Sequence, residues 1–248
     1  MLSGLAKRTL VGTRWEEPFR YVHAKLTGHK GSLYDSQTIA VMRRVMRPGS
    51  VGVDVGSFEG AYLRHMIRLA PGVKHYAFEP NPDSFANLAA RFPAMNVYPY
   101  ALGDRPGTVT FHCVVDHPAL SGLEAREPDL PNEARRKVSV TMETLDRVLP
   151  SDSNVSLIKV DVEGAELGVF RGAAETLRRN RPHVLFECGL GGADYFGAGP
   201  EQVFDELARA ELNLSLLSQW LAGRPSLTRA GFVEQFERRL NYFFLAHP

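Results

Sequence analysis

The sequence is poor in cysteine, in net charge and in long apolar runs, and each shortage excludes a class of protein. Its 248 residues include only Cys113 and Cys188, which is too few for a disulfide framework or a zinc site. A formal net charge of +1 gives no electrostatic basis for binding nucleic acid. No apolar run approaches the roughly 20 residues that cross a bilayer. We therefore expect a soluble chain with reduced thiols, no nucleic-acid partner and no transmembrane segment.

The basic N-terminal stretch Met1–Arg20 lacks an apolar core followed by a small-residue cleavage site. We therefore expect no signal peptide and a cytoplasmic location. A weak membrane-surface role is the alternative to a solvated first helix. Apolar residues make up 44% and charged residues 23%, which allows a sizeable core and is compatible with homo-oligomers. We divide the chain into a helical segment, 1–47, and a single domain, 48–248.

After residue 47, short apolar segments alternate with amphipathic ones, which predicts an α/β fold. We expect a mainly parallel sheet of seven strands with helices on both faces, and an antiparallel last strand. The polar, proline-rich segment 116–136 lacks periodicity and is predicted to be a lid or substrate loop. The predicted strands include "VGVDVG", "KHYAFE", "NVYPYAL", "SLIKVDV", "HVLFECG", "LNLSLLS" and "NYFFLAH".

The turn after the first predicted strand carries the pattern D-x-G-x-x-x-G, from Asp54 through Gly56 to Gly60. In open parallel sheets, ligands lie at the carboxyl ends of the strands. The pattern is not the G-x-G-x-x-G of a dinucleotide site, and an acid before the glycines would repel a pyrophosphate. It suits the ammonium group of an amino acid. A simple strand-to-helix turn is the alternative.

Glu79 ends the next predicted strand, where a carboxylate can accept hydrogen bonds from both hydroxyls of a ribose. Alone, it would be read as a surface or helix-dipole carboxylate. Together with Asp54, it favours a ligand that has a ribose, a cationic amino acid and no phosphate, and S-adenosylmethionine meets these conditions. Ser57 and Asn81 are further candidate contacts, and Ala101 is predicted to pack on the adenine.

The stretch "SLIKVDVEGAELGVF" places Lys159, Asp161 and Glu163 on one side of an apolar strand, because side chains alternate along a strand. Asp161, at the strand end, is predicted to face the transferred methyl group. A buried lysine needs a partner, so Lys159 is either part of the catalytic group or in a structural ion pair below it. Glu163 either contacts the acceptor or marks a helix N-terminus.

Glu187 ends the following predicted strand and is expected to converge with Asp161 on an acceptor hydroxyl as general base. His117 and His183 are the further candidates for the base. His117 and Ser121, in the predicted lid, are candidate acceptor contacts. A second route places Mg²⁺ between Asp161 and Glu187, although two carboxylates are few ligands for a metal.

The segments "DVGSFEGAYL", "AFEPNPDSFANL", "ALGD", "IKVDVEGAELGVFRGA" and "VLFECG" occur in an order that resembles the FkbM family of S-adenosylmethionine-dependent methyltransferases. The resemblance implies a class I, Rossmann-like fold and O-methylation of a hydroxyl on a sugar or a polyketide-like natural product. By position, it implies that Asp54, Gly56, Gly60 and Glu79 hold the cofactor and that Asp161 faces the methyl group.

Two other functions remain open from the residues. One is a non-catalytic member of the same fold that serves as a binding subunit. The other is a nicotinamide-dependent oxidoreductase, whose glycine fingerprint is absent from this sequence. Titration with NAD and with S-adenosylmethionine separates the oxidoreductase from the methyltransferase.

Overall fold

A computed structural model describes residues 30–124, 134–189, 196–197 and 199–248. The strands among these residues are β1 Val51–Val55, β2 Tyr76–Phe78, β3 Asn96–Tyr98, β4 Tyr100–Leu102, β5 Gly107–Val114, β6 Arg135–Glu143, β7 Val155–Val160, β8 His183–Glu187, β9 Asn213–Leu216 and β10 Phe243–His247. The helices are α1 Lys30–Val45, α2 Ala61–Leu69, α3 Pro82–Arg91, α4 Leu145–Val148, α5 Glu166–Arg171, α6 Ala174–Asn180, α7 Pro200–Arg209, α8 Leu217–Leu221 and α9 Arg229–Glu237.

Seven strands form the main sheet in the order β3-β2-β1-β7-β8-β10-β9. Strand β10 runs antiparallel to both of its neighbours, β8 and β9. The pairs from β3 to β8 are all parallel. The predicted seven-stranded, mostly parallel sheet with an antiparallel last strand is therefore confirmed.

The two faces of the main sheet carry separate cores because side chains alternate along each strand. Ile158 and Val160 pack on one face in a cluster with Phe170 of α5. Leu157 packs on the other face with Met42 of α1. Each such side chain contributes roughly 1.5–3 kcal/mol when fully buried. Helices therefore cover both faces, as the alternating pattern predicts.

Helix α1 is an integral part of one of these cores. The sequence predicts a largely helical segment over residues 1–47, of which 1–29 lie outside the described residues. In α1, Val41 and Met42 are buried against the main sheet, and Met46, just past its end, is only 3% exposed. The helix thus shares its core with the chain beyond residue 48.

A second, three-stranded sheet in the order β4-β6-β5 was not predicted. The predicted strand "NVYPYAL" is divided at Pro99, so that β3 pairs with β2 and β4 pairs with β6. Proline has no N–H to donate to a ladder, which explains the break. The predicted lid, 116–136, contains a 3-10 turn, Pro118–Leu120, and its end belongs to β6. Residues 125–133 of that lid lie outside the described part.

Candidate active site

The carboxyl ends of β1, β2, β7 and β8 open onto a cavity of about 360 Å³. Its opposite wall, here called the roof, consists of Tyr100, Ala101, Leu102, Phe111, residues 118–121 and Leu123. The sequence-predicted residues that line this cavity are Gly56, Ser57, Glu79, Ala101, Ser121, Lys159, Asp161, Glu163 and Glu187. The sheet therefore gathers most of the predicted site at one place.

Asp54 lies below the cavity floor and is fully buried. Among the described residues, neither of its carboxylate oxygens accepts a hydrogen bond of normal geometry, although the Ser57 hydroxyl and the Leu63 N–H lie near enough to lower its pKa. The Lys159 ammonium is 3.9 Å from Oδ1. Burial raises the pKa of Asp54, and the nearby Lys159 charge opposes this rise. A buried carboxyl without a well-aligned donor is costly, so this position favours a ligand that brings a positive charge or an N–H group.

The two glycines of the turn are required by the protein itself. Gly56 has φ 73°, and a Cβ atom there would lie 1.9 Å from the carbonyl oxygen of Asp161. Gly60 also has φ 73°, and a Cβ atom there would lie 2.5 Å from the Phe92 ring and 2.7 Å from Leu88. Gly56 therefore allows β1 and β7 to approach closely, whereas Gly60 allows α3 to pack against the turn.

Glu79 is 6% exposed and is held by the backbone around it. Its Oε2 accepts a hydrogen bond from Phe58 N (2.7 Å), and its Oε1 accepts one from Asn81 N (3.0 Å). Burial raises its pKa, against the effect of these two bonds. A carboxylate has about four acceptor positions, so Glu79 can accept two further hydroxyl groups at the cavity.

Asn81 is not among the residues that line the cavity. Its Oδ1 accepts a hydrogen bond from Asp83 N (3.1 Å) and so caps the N-terminus of α3. The side chain lies on a neighbouring groove. The predicted cofactor contact of Asn81 therefore stays a prediction, with a capping role established.

Lys159 joins the ends of β1 and β7. Its ammonium donates to Gly56 O (3.2 Å) and forms an ion pair with Asp161 Oδ2 (3.2 Å). Burial lowers the pKa of Lys159, but the carboxylates of Asp161 and Asp54 more than offset this, and the pKa is raised. Lys159 is therefore charged and cannot act as a base at neutral pH.

The bend after β7 carries Asp161 and Glu163 into the cavity. Glu163 has φ 61° and Gly164 has φ 108°, so two successive residues adopt the left-handed region. The carboxylate of Glu166 holds this bend, because its Oε1 accepts hydrogen bonds from Val162 N (3.2 Å) and Gly164 N (3.1 Å). Burial raises the pKa of Glu166 to about 7.

Glu166 was missed at the sequence level because an acid in the first turn of a helix is common. Its signal lies in the spacing E-G-A-E. A glycine follows the first acid, and a second acid stands close enough to bind the turn's N–H groups.

Neither of the two candidate histidines is among the residues that line the cavity. His117 is exposed at the start of the 3-10 turn, where its carbonyl accepts a hydrogen bond from Leu120 N. His183 begins β8, at the opposite end from the cavity, and its ring stacks on that of His247 at 6.3 Å. Burial lowers the pKa of His183 to about 4. The alternative of His183 as the base is therefore wrong on position.

The magnesium route receives no support from the described residues, which contain no group of three or more His, Cys, Asp or Glu side chains arranged for a metal. The Lys159 ammonium already neutralises Asp161 at 3.2 Å, where a divalent cation would compete with it. Within the same residues, no helix is both long and apolar enough to pass through a bilayer.

Residues 50–243 match the methyltransferase FkbM domain family. A curated relative, 2-O-methyltransferase NoeI of Sinorhizobium fredii (strain NBRC 101917 / NGR234), is 28% identical over 155 residues. That match covers 54% of this chain and 62% of the relative, which is less than two thirds of its length.

Solved structures of methyltransferases also align with the chain. The FkbM methyltransferase from Methylobacillus flagellatus KT aligns with 15% identity and a TM-score of 0.46, over 85% of this chain and 50% of that one. An S-adenosylmethionine-dependent methyltransferase from Aquifex aeolicus aligns with 14% identity and a TM-score of 0.40, over 85% and 87%.

The strand order, the antiparallel β10 and the cavity at the carboxyl ends of the parallel strands form the class I methyltransferase fold. The family match spans both the turn at Asp54–Gly60 and the bend at Asp161–Glu166. The chain belongs to the FkbM domain family of methyltransferases.

Proposed function

We propose that this protein transfers a methyl group from S-adenosylmethionine to a hydroxyl group of a small molecule, namely a sugar or a glycosylated or polyketide natural product. One observation carries the proposal. A buried carboxyl that accepts no hydrogen bond of normal geometry from the described residues, Asp54, lies under the same cavity that Glu79 lines with an anchored carboxylate. This pair fits a ligand with a cationic amino acid at one end and a ribose at the other.

The residues around the cavity fit the rest of this cofactor. Asp54 would balance the charge of its amino-acid end, and Glu79 would accept the two ribose hydroxyls. Ala101 and Leu102 supply an apolar wall for the adenine. When bound, the cofactor supplies an electrophilic methyl group on a sulfonium.

Asp161 is the residue best placed to remove the acceptor's proton. It lines the cavity, and Lys159 holds one of its carboxylate oxygens, Oδ2, in place. A positioned general base typically contributes about 10²–10⁴-fold to the rate. Glu187, at the end of the adjacent strand, lines the same cavity and offers a second acceptor for a substrate hydroxyl.

The lining on the acceptor side favours a hydroxylated substrate. Glu163, Glu187 and Ser121 all line the cavity, and carboxylate and hydroxyl oxygens accept hydrogen bonds from alcohols. The name of the curated relative, a 2-O-methyltransferase, supports oxygen as the methyl acceptor. The residues that line the cavity include no cluster of cationic side chains, which a phosphorylated acceptor would require.

Two measurements test the proposal. Calorimetric titration with S-adenosylmethionine, S-adenosylhomocysteine and NAD should show binding of the first two and none of NAD. Asp54→Asn and Glu79→Gln should each weaken that binding by tenfold or more, as expected when a charge-assisted contact is removed. Incubation with a panel of sugars and polyketide alcohols, followed by mass spectrometry, should show a product heavier by one methylene.

The outcomes separate the alternatives. Binding of S-adenosylmethionine with no product from any acceptor would favour a non-catalytic binding subunit. Binding of NAD with no binding of S-adenosylmethionine would overturn the proposal. Asp161→Asn serves as the catalytic control in the product assay, since its side chain keeps an oxygen for Lys159 and loses its basicity.

A further inference from the structure

Helix α1 lies outside the segment that matches the family, yet one of its residues contacts the cavity wall. Asp35 Oδ1 accepts a hydrogen bond of 2.7 Å from the Tyr62 hydroxyl, across 27 residues of sequence. Tyr62, in the first turn of α2, lines the cavity. The helix that precedes the family segment is thus joined to the site by a direct side-chain contact.

The Tyr62 ring also contacts the charged group beneath the cavity. The Lys159 ammonium is 5.2 Å from the centroid of this ring, within the range of a cation–π interaction. The same ammonium is 3.2 Å from Asp161 Oδ2. Asp35, Tyr62, Lys159 and Asp161 therefore form a continuous series of contacts from α1 to the strand end that carries the proposed base.

The chemistry of Tyr62 favours a positioning role over an acid–base role. Burial raises the pKa of Tyr62 well above its usual value, and the negative charge of Asp35 raises it further. The phenol therefore stays protonated, and its O–H donates a hydrogen bond to Asp35. A phenol held at its oxygen cannot turn its ring away from Lys159, and the ring in turn limits where the lysine ammonium can move.

We propose that Asp35 and Tyr62 are positioning residues for methyl transfer. The hydrogen bond between them holds the Tyr62 ring against the Lys159 ammonium, and this ammonium holds the Asp161 carboxylate toward the acceptor. The inference rests on the proposed function in taking Asp161 as the base. It makes α1 part of the catalytic machinery, with no direct contact to the reacting atoms required.

The test compares single variants of the full-length protein with wild type under saturating cofactor and acceptor. Tyr62→Phe keeps the ring and removes the tether, and Asp35→Ala removes the acceptor of the hydrogen bond. Both should lower kcat about tenfold, because small displacements of a catalytic group carry large rate penalties. Their dissociation constants for S-adenosylmethionine should change less than about threefold. Asp35→Asn keeps an acceptor oxygen for the Tyr62 hydroxyl, so its kcat should stay within about threefold of the wild-type value.

Tyr34→Phe is the matched control. Tyr34 is also on α1 and its hydroxyl also donates to a side chain, Asn241 Oδ1, at 2.8 Å, but it is not among the residues that line the cavity. If the Tyr62 contact only anchored α1, Tyr34→Phe and Tyr62→Phe would lower the melting temperature and kcat alike. We expect both to lower the melting temperature and only Tyr62→Phe to lower kcat.

The double variant and a spectroscopic readout complete the test. Asp35→Ala combined with Tyr62→Phe should be no slower than either single variant, because both remove the same contact. In the ¹⁵N spectrum of lysine-labelled protein, the Lys159 ammonium signal, assigned by its loss in Lys159→Met, should broaden in Asp35→Ala and stay unchanged in Tyr34→Phe.

Each result bears on one of the two proposals. Unchanged kcat in both Tyr62→Phe and Asp35→Ala, or an equal loss in Tyr34→Phe, overturns the positioning role. Absence of methyl transfer by the wild type from every acceptor overturns the proposed function instead. In that case the Lys159 signal decides the inference, since a signal identical in Asp35→Ala and wild type contradicts it.

Discussion

The carbonyl oxygen of Asp161 occupies the space in which a side chain at position 56 would begin, 1.9 Å from the ideal Cβ position of Gly56. The ends of β1 and β7 therefore lie closer together than any residue other than glycine permits. The turn at Asp54–Gly60 and the strand end with the proposed base are fixed to each other by backbone contact.

Gly56→Ala should consequently be severely destabilising. The added methyl group meets backbone rather than a flexible side chain, and φ 73° is strained for alanine. We expect a loss of more than about 3 kcal/mol in the free energy of unfolding, measured by urea denaturation. Gly72→Ala is the control, since Gly72 has φ 82° with no atom within 4 Å of its Cβ position, and it should lose only about 1 kcal/mol. Equal losses at the two positions would contradict the contact.

Asp161→Asn should lower kcat by about 10²–10⁴-fold because the amide cannot accept the acceptor's proton. The amide oxygen can still accept a hydrogen bond from Lys159, so the melting temperature should fall less than in Asp161→Ala, which leaves Lys159 without its nearest carboxylate. The rate of product formation, followed by mass spectrometry, checks the first part, and thermal unfolding of both variants checks the second. Retained turnover in Asp161→Asn would exclude Asp161 as the base.

Glu163→Gly should separate stability from activity. Glu163 has φ 61°, which costs about 1 kcal/mol for a residue with a side chain. Glycine removes that strain, so we expect the melting temperature to be unchanged or higher. The acceptor KM should rise at least about threefold if the carboxylate contacts the acceptor. An unchanged KM would assign Glu163 to the bend alone.

Glu166→Gln should change the pH dependence of stability at high pH. Burial raises the pKa of Glu166 from 4.5 to about 7, so the folded state holds this proton more tightly than the unfolded state. This proton contributes on the order of 3 kcal/mol to the free energy of unfolding. The contribution is fully present below pH 4.5 and is lost as the pH rises through about 7. Glutamine is neutral and keeps an oxygen for Val162 N and Gly164 N. The variant should unfold at higher urea than wild type at pH 8.5 and at similar urea at pH 4.5.

His183→Gln should change the pH dependence of stability at acidic pH. Burial lowers the pKa of His183 from 6.5 to about 4, so the unfolded state takes up this proton first. The neutral imidazole contributes on the order of 3 kcal/mol to the free energy of unfolding. The contribution is present above pH 6.5 and is lost as the pH falls toward 4. The variant should lose less stability than wild type between pH 7 and pH 5.

The main sheet could be predicted because its strands are short apolar segments separated by helical ones, and their carboxyl ends identify a site without knowledge of packing. Glu79 and Asp161 were predicted in this way and line the cavity, whereas Asp54, predicted in the same way, is fully buried and does not line it. The second sheet could not be predicted, since β4 follows β3 after the single residue Pro99 and pairs with a strand more than 30 residues later.

The residues missed at the site share a physical reason. Glu166 acts through backbone N–H groups that any residue provides, so its role leaves no mark on the identity of its partners. Tyr62 and Asp35 lie on two helices and meet through tertiary packing, which hydrophobic periodicity does not specify. Lys159 was expected to have a charged partner, but its approach to the Gly56 carbonyl depends on the contact between β1 and β7.

The roof strands β4 and β5 belong to the three-stranded sheet, whereas the carboxylates below them lie at the ends of strands of the main sheet. A one-residue slip of β5 against β6 would turn Phe111 away from the cavity while leaving the register of β1, β2 and β7 intact. Substitutions in the roof can therefore alter which molecules enter without disturbing the carboxylates beneath. Under the proposed function, retention of the methyl donor and choice of the molecule to be modified would be separately adjustable properties of this architecture.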